Sequence, residues 1–179
     1  MPIHSFEGHH PHIDSSAFIH PDATIIGQVR IGPHSSIWPG VVIRGDVNTI
    51  VIGAESNIQD GSILHVTRPT EHNPQGTPLI IGDQVLIGHQ VTLHACHIEQ
   101  GAMIGIGAIV LDRAMVGQRA MLGAGSLLTP GKIVPPETLW LGSPARQIRP
   151  RTPEELQATL KTTLNYVTLS HRHRTGLSD

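Results

Sequence analysis

The sequence is poor in large aromatic side chains and in cysteine. Phenylalanine, tryptophan and tyrosine together make up 3% of its 179 residues, and Cys96 is the single cysteine. One cysteine excludes an internal disulfide framework and a zinc knuckle built from several thiolates. With so few rings, the interior has to be built from isoleucine, leucine, valine and alanine, which suit a narrow core of small repeated layers.

Charge of one sign and long apolar runs are also lacking. The 12 lysines and arginines and the 14 acidic residues give a net charge of −2, which argues against a nucleic-acid binder with a basic surface. No apolar run approaches the roughly 20 residues that span a bilayer. The first residues have neither the basic nor the apolar region of a secretory signal. We therefore predict a cytoplasmic protein without a membrane or nucleic-acid partner.

Aliphatic residues recur every six positions along most of the chain. Three extra residues break the phase after Ile43, a longer interruption follows Leu64, and one unit is a residue short before Ile98. Such self-similarity is the signature of a repeat architecture. The units begin at Ile13, Ile19, Ile25, Ile31, Ile37, Ile43, Ile52, Ile58, Leu64, Ile81, Ile87, Leu93, Ile98, Ile104, Val110, Val116, Leu122, Leu128 and Val134.

The fifth position of each unit tests this interpretation independently. It is alanine, valine, serine or threonine in all units except those with Arg68, His97 and Lys132. One branched aliphatic and one small residue per unit describe a short strand followed by a tight corner. An ordinary β-sandwich is the alternative, but its turns are irregularly spaced and its strands alternate with period 2. Three faces per turn instead predict a triangular prism of about six coils, whose rungs stack about 4.8 Å apart.

Two segments interrupt or follow the repeat. Residues 66–80 are rich in proline and polar residues and predict a loop extruded at one corner. Residues 152–174 predict a helix that begins with an N-cap, a proline and a capping-box glutamate. Its leucines and valine predict one apolar stripe laid along the prism, formed by Leu156, Leu160, Leu164 and Val167. The predicted organisation is an N-terminal segment (1–12), a β-helix (13–150) and a C-terminal helix and tail (151–179).

Three of the 13 histidines stand out by their positions in the repeat. His65 follows Leu64 and His94 follows Leu93, so both occupy the second position of their unit. If the 66–80 loop adds no face, these units lie one coil apart and the two imidazoles stack on one face. Their ring nitrogens can then converge on one metal ion.

His89 lies in the preceding unit and hence on another face of the prism. From there we expect it to lie apart from His65 and His94 within its own chain and to join them across an interface. Three prisms around a threefold axis would assemble three equivalent sites. The histidines therefore suggest both a metal site and a homotrimer. The alternative is that they are surface or interface residues that only make hydrogen bonds.

An ordered set of short motifs resembles the γ-class carbonic anhydrase family, within the hexapeptide-repeat proteins that fold as left-handed parallel β-helices. The short bacterial members also share the pattern at the end of the prism and in the final helix. The motifs are Arg44-Gly45-Asp46, Asn57-Ile58-Gln59-Asp60-Gly61-Ser62, Leu64-His65, Gly88-His89, Leu93-His94, Leu141-Gly142-Ser143-Pro144-Ala145-Arg146 and Asn165-Tyr166.

This resemblance implies a fold and a set of roles. The fold is an all-β, left-handed parallel β-helix with a C-terminal α-helix packed along the prism, a handedness that runs against the usual right-handed crossover. His65 and His94 would ligate the metal from one subunit and His89 from the next. The remaining implied roles are a water-orienting group at Gln59, a neighbouring polar group at Asn57, a substrate neighbour at Tyr166, and a salt-bridged subunit contact at Arg44, Asp46 and Asp60.

Two departures from the family pattern concern proton transfer. The glutamate that follows Arg-Gly-Asp in well-studied members is Val47 here. The loop after the first histidine lacks their acidic pattern and offers only Glu71 and His72 as replacements for the shuttle glutamate. We therefore expect proton removal to be the weak point of any hydratase activity.

Three functions compete at this stage. The favoured function is reversible hydration of CO2 to bicarbonate by metal-bound hydroxide, with zinc as the default metal and cobalt or iron(II) as alternatives. A hexapeptide-repeat acyltransferase would need one histidine as general base and no metal, which would leave the His65/His94 pair without a purpose. A non-catalytic trimer that kept the metal site is the third.

Overall fold

The six-residue repeat forms very short parallel strands that stack into a triangular prism. The structure, a computed structural model, describes residues 2–176. We number the three faces of the prism 1, 2 and 3 in the order in which the chain passes along them. This architecture confirms the predicted left-handed parallel β-helix with one C-terminal helix. Face 1 contains β1 (Ile3–His4), the first parts of β4 (Thr24–Ile31) and β6 (Val42–Ile52), β8 (Ile63–His65), β11 (Thr92–His94), β14 (Ile109–Val110) and β17 (Leu127–Leu128).

The other two faces follow the same register. Face 2 contains β2 (His12–Ile13), the second parts of β4 and β6, β9 (Leu79–Ile81), β12 (His97–Ile98), β15 (Met115–Val116) and β18 (Ile133–Val134). Face 3 contains β3 (Phe18–Ile19), β5 (Ser36–Ile37), β7 (Asn57–Ile58), β10 (Leu86–Ile87), β13 (Met103–Ile104), β16 (Met121–Leu122), β19 (Thr138–Gly142) and the antiparallel β20 (Ala145–Pro150).

The core is the aliphatic ladder that the repeat predicts. Every unit start from Ile25 to Val134 is buried. Unit starts that are one coil apart on the same face pair directly, as Ile43 with Leu64 and Leu64 with Leu93. The prism is taller than six coils, because β1 pairs with β4 and adds a rung outside Ile25. An end rung needs backbone hydrogen bonds on one side only, so it does not require the repeat pattern.

Both insertions in the repeat lie at the corner between face 1 and face 2. In the pairing of β4 with β6, Gly27 lies opposite Gly45 and Val29 opposite Ile50, so that residues 46–49 form a bulge. Residues 66–78 form a small antiparallel hairpin with bridges between Thr67 and Thr77 and between Thr70 and Asn73. The predicted loop 66–80 is therefore too long, because Leu79 and Ile80 pair with β6 and already belong to β9.

One asparagine ties the bulge to the hairpin. The side-chain amide of Asn48 donates to the carbonyl of Thr67 at 3.2 Å and to that of Gln75 at 2.9 Å. Gly76 permits this approach, because its φ is +64° and a Cβ there would lie 2.5 Å from the Asn48 amide nitrogen. The two insertions are thus one connected structure beside the prism.

Helix α1 spans Pro153–Gly176, close to the predicted range, and begins with the predicted capping box. The Thr152 hydroxyl accepts the Glu155 N–H at 3.3 Å, and the Glu155 carboxylate accepts the Thr152 N–H at 2.9 Å. Arg149 donates to both oxygens of the same carboxylate. No helix among residues 2–176 is long and apolar enough to cross a membrane.

The hydrogen bond from Arg149 and then that from Thr152 lower the pKa of Glu155 from 4.5 to about 2. The native state therefore binds fewer protons than the unfolded state, and the stabilisation is complete above pH 4.5 and lost as the pH falls toward 2. We expect Glu155→Gln to lower the free energy of unfolding near pH 7, with a difference that shrinks below pH 4.5. Urea unfolding from pH 3 to 7 measures it. Glu71→Gln, at the exposed hairpin tip, is the control, and a difference constant across this range contradicts the assignment.

The prediction that leucines line the buried face of the helix is wrong. Leu160 and Leu164 are each 42% exposed, whereas Thr159, Thr163 and Ser170 are buried against face 3. Small side chains allow the helix to lie close to the strands. The remaining space is filled by aromatic rings, in a cluster formed by Phe18, Trp38, Tyr166 and His173.

This packing predicts that substitutions at two adjacent positions change the free energy of unfolding by very different amounts. Thr163→Leu adds bulk to a fully buried site and should cost about 1–3 kcal/mol of unfolding free energy. Leu164→Ala removes a half-exposed side chain and should change it by less than about 0.5 kcal/mol. Chemical denaturation of both variants measures the contrast. A larger loss for Leu164→Ala would mean that the helix packs through its leucines.

Candidate metal centre

Two stacked histidines lie where face 1 ends at its corner with face 2. His94 pairs with His65 in the register of β11 and β8, so the hairpin between them adds no face, as predicted. The ring centroids are 5.3 Å apart. Nδ1 of His65 faces Nε2 of His94 at 3.3 Å.

The outer nitrogen of each ring contacts a carboxylate. Nε2 of His65 lies 3.0 Å from Oδ1 of Asp46, and Nδ1 of His94 lies 2.8 Å from Oδ2 of Asp112. A neutral imidazole has one N–H, so donation to the aspartate leaves the inner nitrogen as an acceptor. Two lone pairs then face each other across 3.3 Å, an arrangement that a cation between them stabilises.

The spacing fits a divalent metal ion. Two nitrogens at Zn–N distances of about 2.0–2.1 Å in tetrahedral geometry are about 3.3–3.4 Å apart, and the two inner nitrogens are 3.3 Å apart. Metal-ligating histidines also characteristically donate their other N–H to a carboxylate. The residues present therefore fit a metal held by Nδ1 of His65 and Nε2 of His94.

His89 lies at a different corner, between face 3 and face 1. Its Nδ1 is 2.9 Å from Oδ2 of Asp60, which leaves Nε2 free in a side chain that is 43% exposed. Within residues 2–176 of one chain, no three histidine, cysteine or acidic side chains are grouped to hold a metal ion. The structure thus brings His65 and His94 together and keeps His89 apart. Like the other two histidines, His89 contacts an aspartate through one ring nitrogen.

The predicted polar groups Gln59 and Asn57 lie on the side of His89. The amide of Gln59 donates to Oδ1 of Asn57 at 3.1 Å, and both residues are buried. Nδ2 of Asn57 is buried and has no hydrogen-bond partner among the residues that the structure describes. Tyr166, on α1, packs against Trp38, and burial, followed by the charge of Asp60, raises its pKa.

Arg44 is linked to the stacked histidines through Asp46, an aspartate on the bulge. Its guanidinium donates to Oδ2 of Asp46 at 2.5 Å. Partial burial raises the pKa of Asp46, but hydrogen bonds from Arg44 and His65 outweigh this effect and lower it. Asp60 contacts His89 in the same chain, so a contact between Arg44 and Asp60 stays a prediction for an assembly.

The residues considered for proton transfer are all exposed. Glu71 and His72 form the tip of the hairpin, between Thr70 and Asn73. Val47, which replaces the family glutamate, lies on the bulge and is 36% exposed.

Two residues that the sequence motifs do not single out, Asp112 and Thr67, also contact the site. Thr67 donates a short hydrogen bond to Oδ1 of Asp112, whose Oδ2 holds His94. Partial burial raises the pKa of Asp112, and the hydrogen bonds from Thr67 and His94 lower it further than burial raises it. The register contained the signal, because Val110 lies one rung beyond Leu93 and so places Asp112 at the corner next to His94.

Comparison with known proteins extends the similarity to nearly the whole chain. The family model described as "Bacterial transferase hexapeptide (six repeats)" matches residues 10–45. A carbonic anhydrase of Geobacillus kaustophilus is 47% identical over 165 residues, 92% of this chain and 87% of that protein. Protein YrdA of Escherichia coli K12 is 47% identical over 157 residues, 88% of this chain and 85% of that protein.

The similarity holds in three dimensions as well. The crystal structure of a hexapeptide transferase family protein from Anaplasma phagocytophilum is 44% identical, with a TM-score of 0.88. The alignment covers 98% of each chain. Prism and C-terminal helix therefore belong to one shared architecture.

Proposed function

Because this chain belongs to the γ-class carbonic anhydrase family of hexapeptide-repeat proteins, we propose that it hydrates CO2 reversibly to bicarbonate at a divalent metal shared between two subunits of a homotrimer. One observation carries the proposal. The inner ring nitrogens of His65 and His94 lie 3.3 Å apart, and the outer nitrogen of each ring contacts an aspartate.

The positions of the corners support a trimer with face 1 inward. Face 1 is bounded at one edge by His65 and His94 and at the other by the corner that carries His89. Three prisms with face 1 toward a threefold axis bring the first edge of one protomer beside the second edge of the next. Prisms with a single corner at the axis would bring identical histidines together instead.

Exposed aliphatic residues on and beside face 1 support the same arrangement. Ile63 and Ile109 point outward from face 1 and are 49% and 38% exposed. Ile106, on the corner of His89, is 55% exposed. Ile63 and Ile109 lie in one column of face 1, with Thr92 between them. Exposed apolar residues grouped on one face are typical of an interface.

Three imidazoles leave an open coordination position, at which a bound divalent metal supplies an activated water for attack on CO2. We propose zinc, while cobalt and iron(II) accept the same ligands. Asn57 holds the side chain of Gln59, so that Gln59 can orient the reacting water from the side of His89. Tyr166 would close that side against bulk solvent. The buried thiol of Cys96 accords with the cytoplasmic location that we propose.

The decisive experiment combines metal analysis, oligomeric state and CO2 hydration. We expect one metal ion per chain, a trimer by light scattering, and hydration that disappears after chelation and returns with zinc. A metal-loaded trimer without turnover would instead support the non-catalytic metal-binding alternative, and a chain that binds no metal contradicts the proposal.

Proton removal should limit the turnover of this protein. Val47 cannot accept a proton, and Glu71 and His72 lie at the exposed tip of the hairpin. We expect kcat to rise with buffer concentration, and Val47→Glu to weaken that dependence while leaving metal content unchanged. Val51→Glu, on face 2, is the matched control. Turnover independent of buffer contradicts this expectation.

An acyltransferase is the second candidate, because the Anaplasma relative is described as a hexapeptide transferase family protein. A general-base mechanism needs one histidine and gives no reason for two inner nitrogens to face each other. This alternative would be favoured if the protein, after a chelator has removed any metal, transferred the acetyl group of acetyl-CoA to an amine.

A further inference from the structure

A closed ring of contacts includes the stacked histidines. Its links are hydrogen bonds, except for the facing inner nitrogens of His65 and His94 and the backbone of the bulge from Asp46 to Asn48. It joins the bulge, two rungs of the prism and the hairpin, and it returns to the bulge through the side chain of Asn48. Its members, in order, are Asp46, His65, His94, Asp112, Thr67 and Asn48.

Asp112 is the member of this ring that has two separate tasks. Oδ2 lies 2.8 Å from Nδ1 of His94, and Oδ1 accepts from the hydroxyl of Thr67. The side chains of Asp112 and His94 are each 33% exposed, so solvent competes with their hydrogen bond and the second bond from Thr67 matters for orienting the carboxylate.

The orientation of the carboxylate determines which nitrogen of His94 carries the proton. With Nδ1–H donated to Asp112, Nε2 is the free nitrogen that faces His65. Without that acceptor, imidazole in water prefers the opposite tautomer, with the proton on Nε2, where it would block the approach of a cation.

We propose that Asp112 is a positioning residue of the metal site, which fixes the tautomer of His94 and, through Thr67, makes its orientation depend on the hairpin 66–78. The part of this inference that concerns metal binding rests on the proposed function. The part that concerns the tautomer of His94 does not. Carboxylates that hold metal-ligating histidines typically contribute about 10–100-fold to metal affinity.

The first test uses the metal-free protein. In ¹⁵N-histidine NMR spectra, His94 should be the Nδ1–H tautomer in the wild type and should change toward Nε2–H in Asp112→Ala. Asp83→Ala is the matched control, since Asp83 is an exposed corner aspartate that accepts the Ala54 N–H and contacts no histidine. An unchanged His94 tautomer in Asp112→Ala overturns the proposal.

The second test measures zinc affinity by competition with a chromophoric chelator, together with the visible spectrum of the cobalt form. Asp112→Ala should weaken zinc binding by about 10–100-fold and alter the cobalt spectrum, whereas Asp83→Ala should do neither. Thr67→Val, which keeps the shape of the side chain, should weaken binding less. It should add nothing in the Asp112→Ala background, because Thr67 acts through Asp112.

The outcomes separate this inference from the proposed function. Equal zinc affinity in wild type and Asp112→Ala overturns the role of Asp112 while leaving the metal site in place. If the wild type binds no zinc, the proposed function fails, and the tautomer experiment still decides what Asp112 does. Should Asp112→Ala fail to fold, a Thr67→Val variant with unchanged zinc affinity and cobalt spectrum overturns the link to the hairpin.

Discussion

His94→Ala and His89→Ala should each abolish stoichiometric metal binding and CO2 hydration, yet a mixture of the two variants should regain part of both. Each variant alone lacks one of three ligands in every site. In a cyclic trimer that assembles at random from equal amounts, about a quarter of the sites combine an intact His94 with a neighbour's intact His89. Metal content and hydration after co-refolding measure this recovery.

The control for ligand loss is His97→Ala. His97 is a half-buried histidine on face 2, close in sequence to His94 but on a different strand, where it pairs with Ile80 and Met115. It should keep full metal content. If mixed trimers regain nothing, while each variant still assembles, His89 of a neighbouring chain does not complete the site and the arrangement with face 1 inward is wrong.

Ile109→Glu should dissociate the trimer and release the metal, although no ligand has been changed. In the proposed assembly, this substitution places one carboxylate from each of the three subunits in an apolar interface. An unpaired charge in such a setting costs several kcal/mol. Light scattering should show a monomer, metal analysis should show at most weak binding, and circular dichroism should retain the β-helix signal.

Ile133→Glu is the matched control for this charge. Ile133 is 59% exposed on face 2, which remains outward in the proposed trimer, so the variant should stay trimeric and metal-loaded. If Ile109→Glu remains a metal-loaded trimer, face 1 does not form the interface. If Ile133→Glu dissociates instead, face 2 does.

Much of the fold was predictable because a solenoid uses only local rules. The spacing of aliphatic residues determines which side chains point inward, and parallel pairing then determines the register. The stacking of His65 on His94 followed from counting units, once the hairpin was assumed to leave the rungs in register. The pairing of Leu64 with Leu93 confirms this assumption.

The features that the sequence did not predict depend on contacts between separate segments. Asp112 is distant in sequence from Thr67, and their hydrogen bond exists only because the hairpin folds back toward the corner. The sequence predicts the wrong buried face for α1, because hydrophobicity ranks leucine above threonine. Contact with a flat sheet instead favours the smaller side chain, as at Thr163.

The concentration of aromatic rings under α1 gives the protein its own optical probe. Trp38 is 6% exposed, donates its indole N–H to Ser36 and packs edge-on against Tyr166. Trp140, the other tryptophan, packs against the last rungs of the core, far along the prism. In a Trp140→Phe variant, the tryptophan fluorescence therefore comes from Trp38, which contacts both the helix and the prism. Its emission should move to longer wavelength when the helix leaves the prism, even while the β-helix itself stays folded.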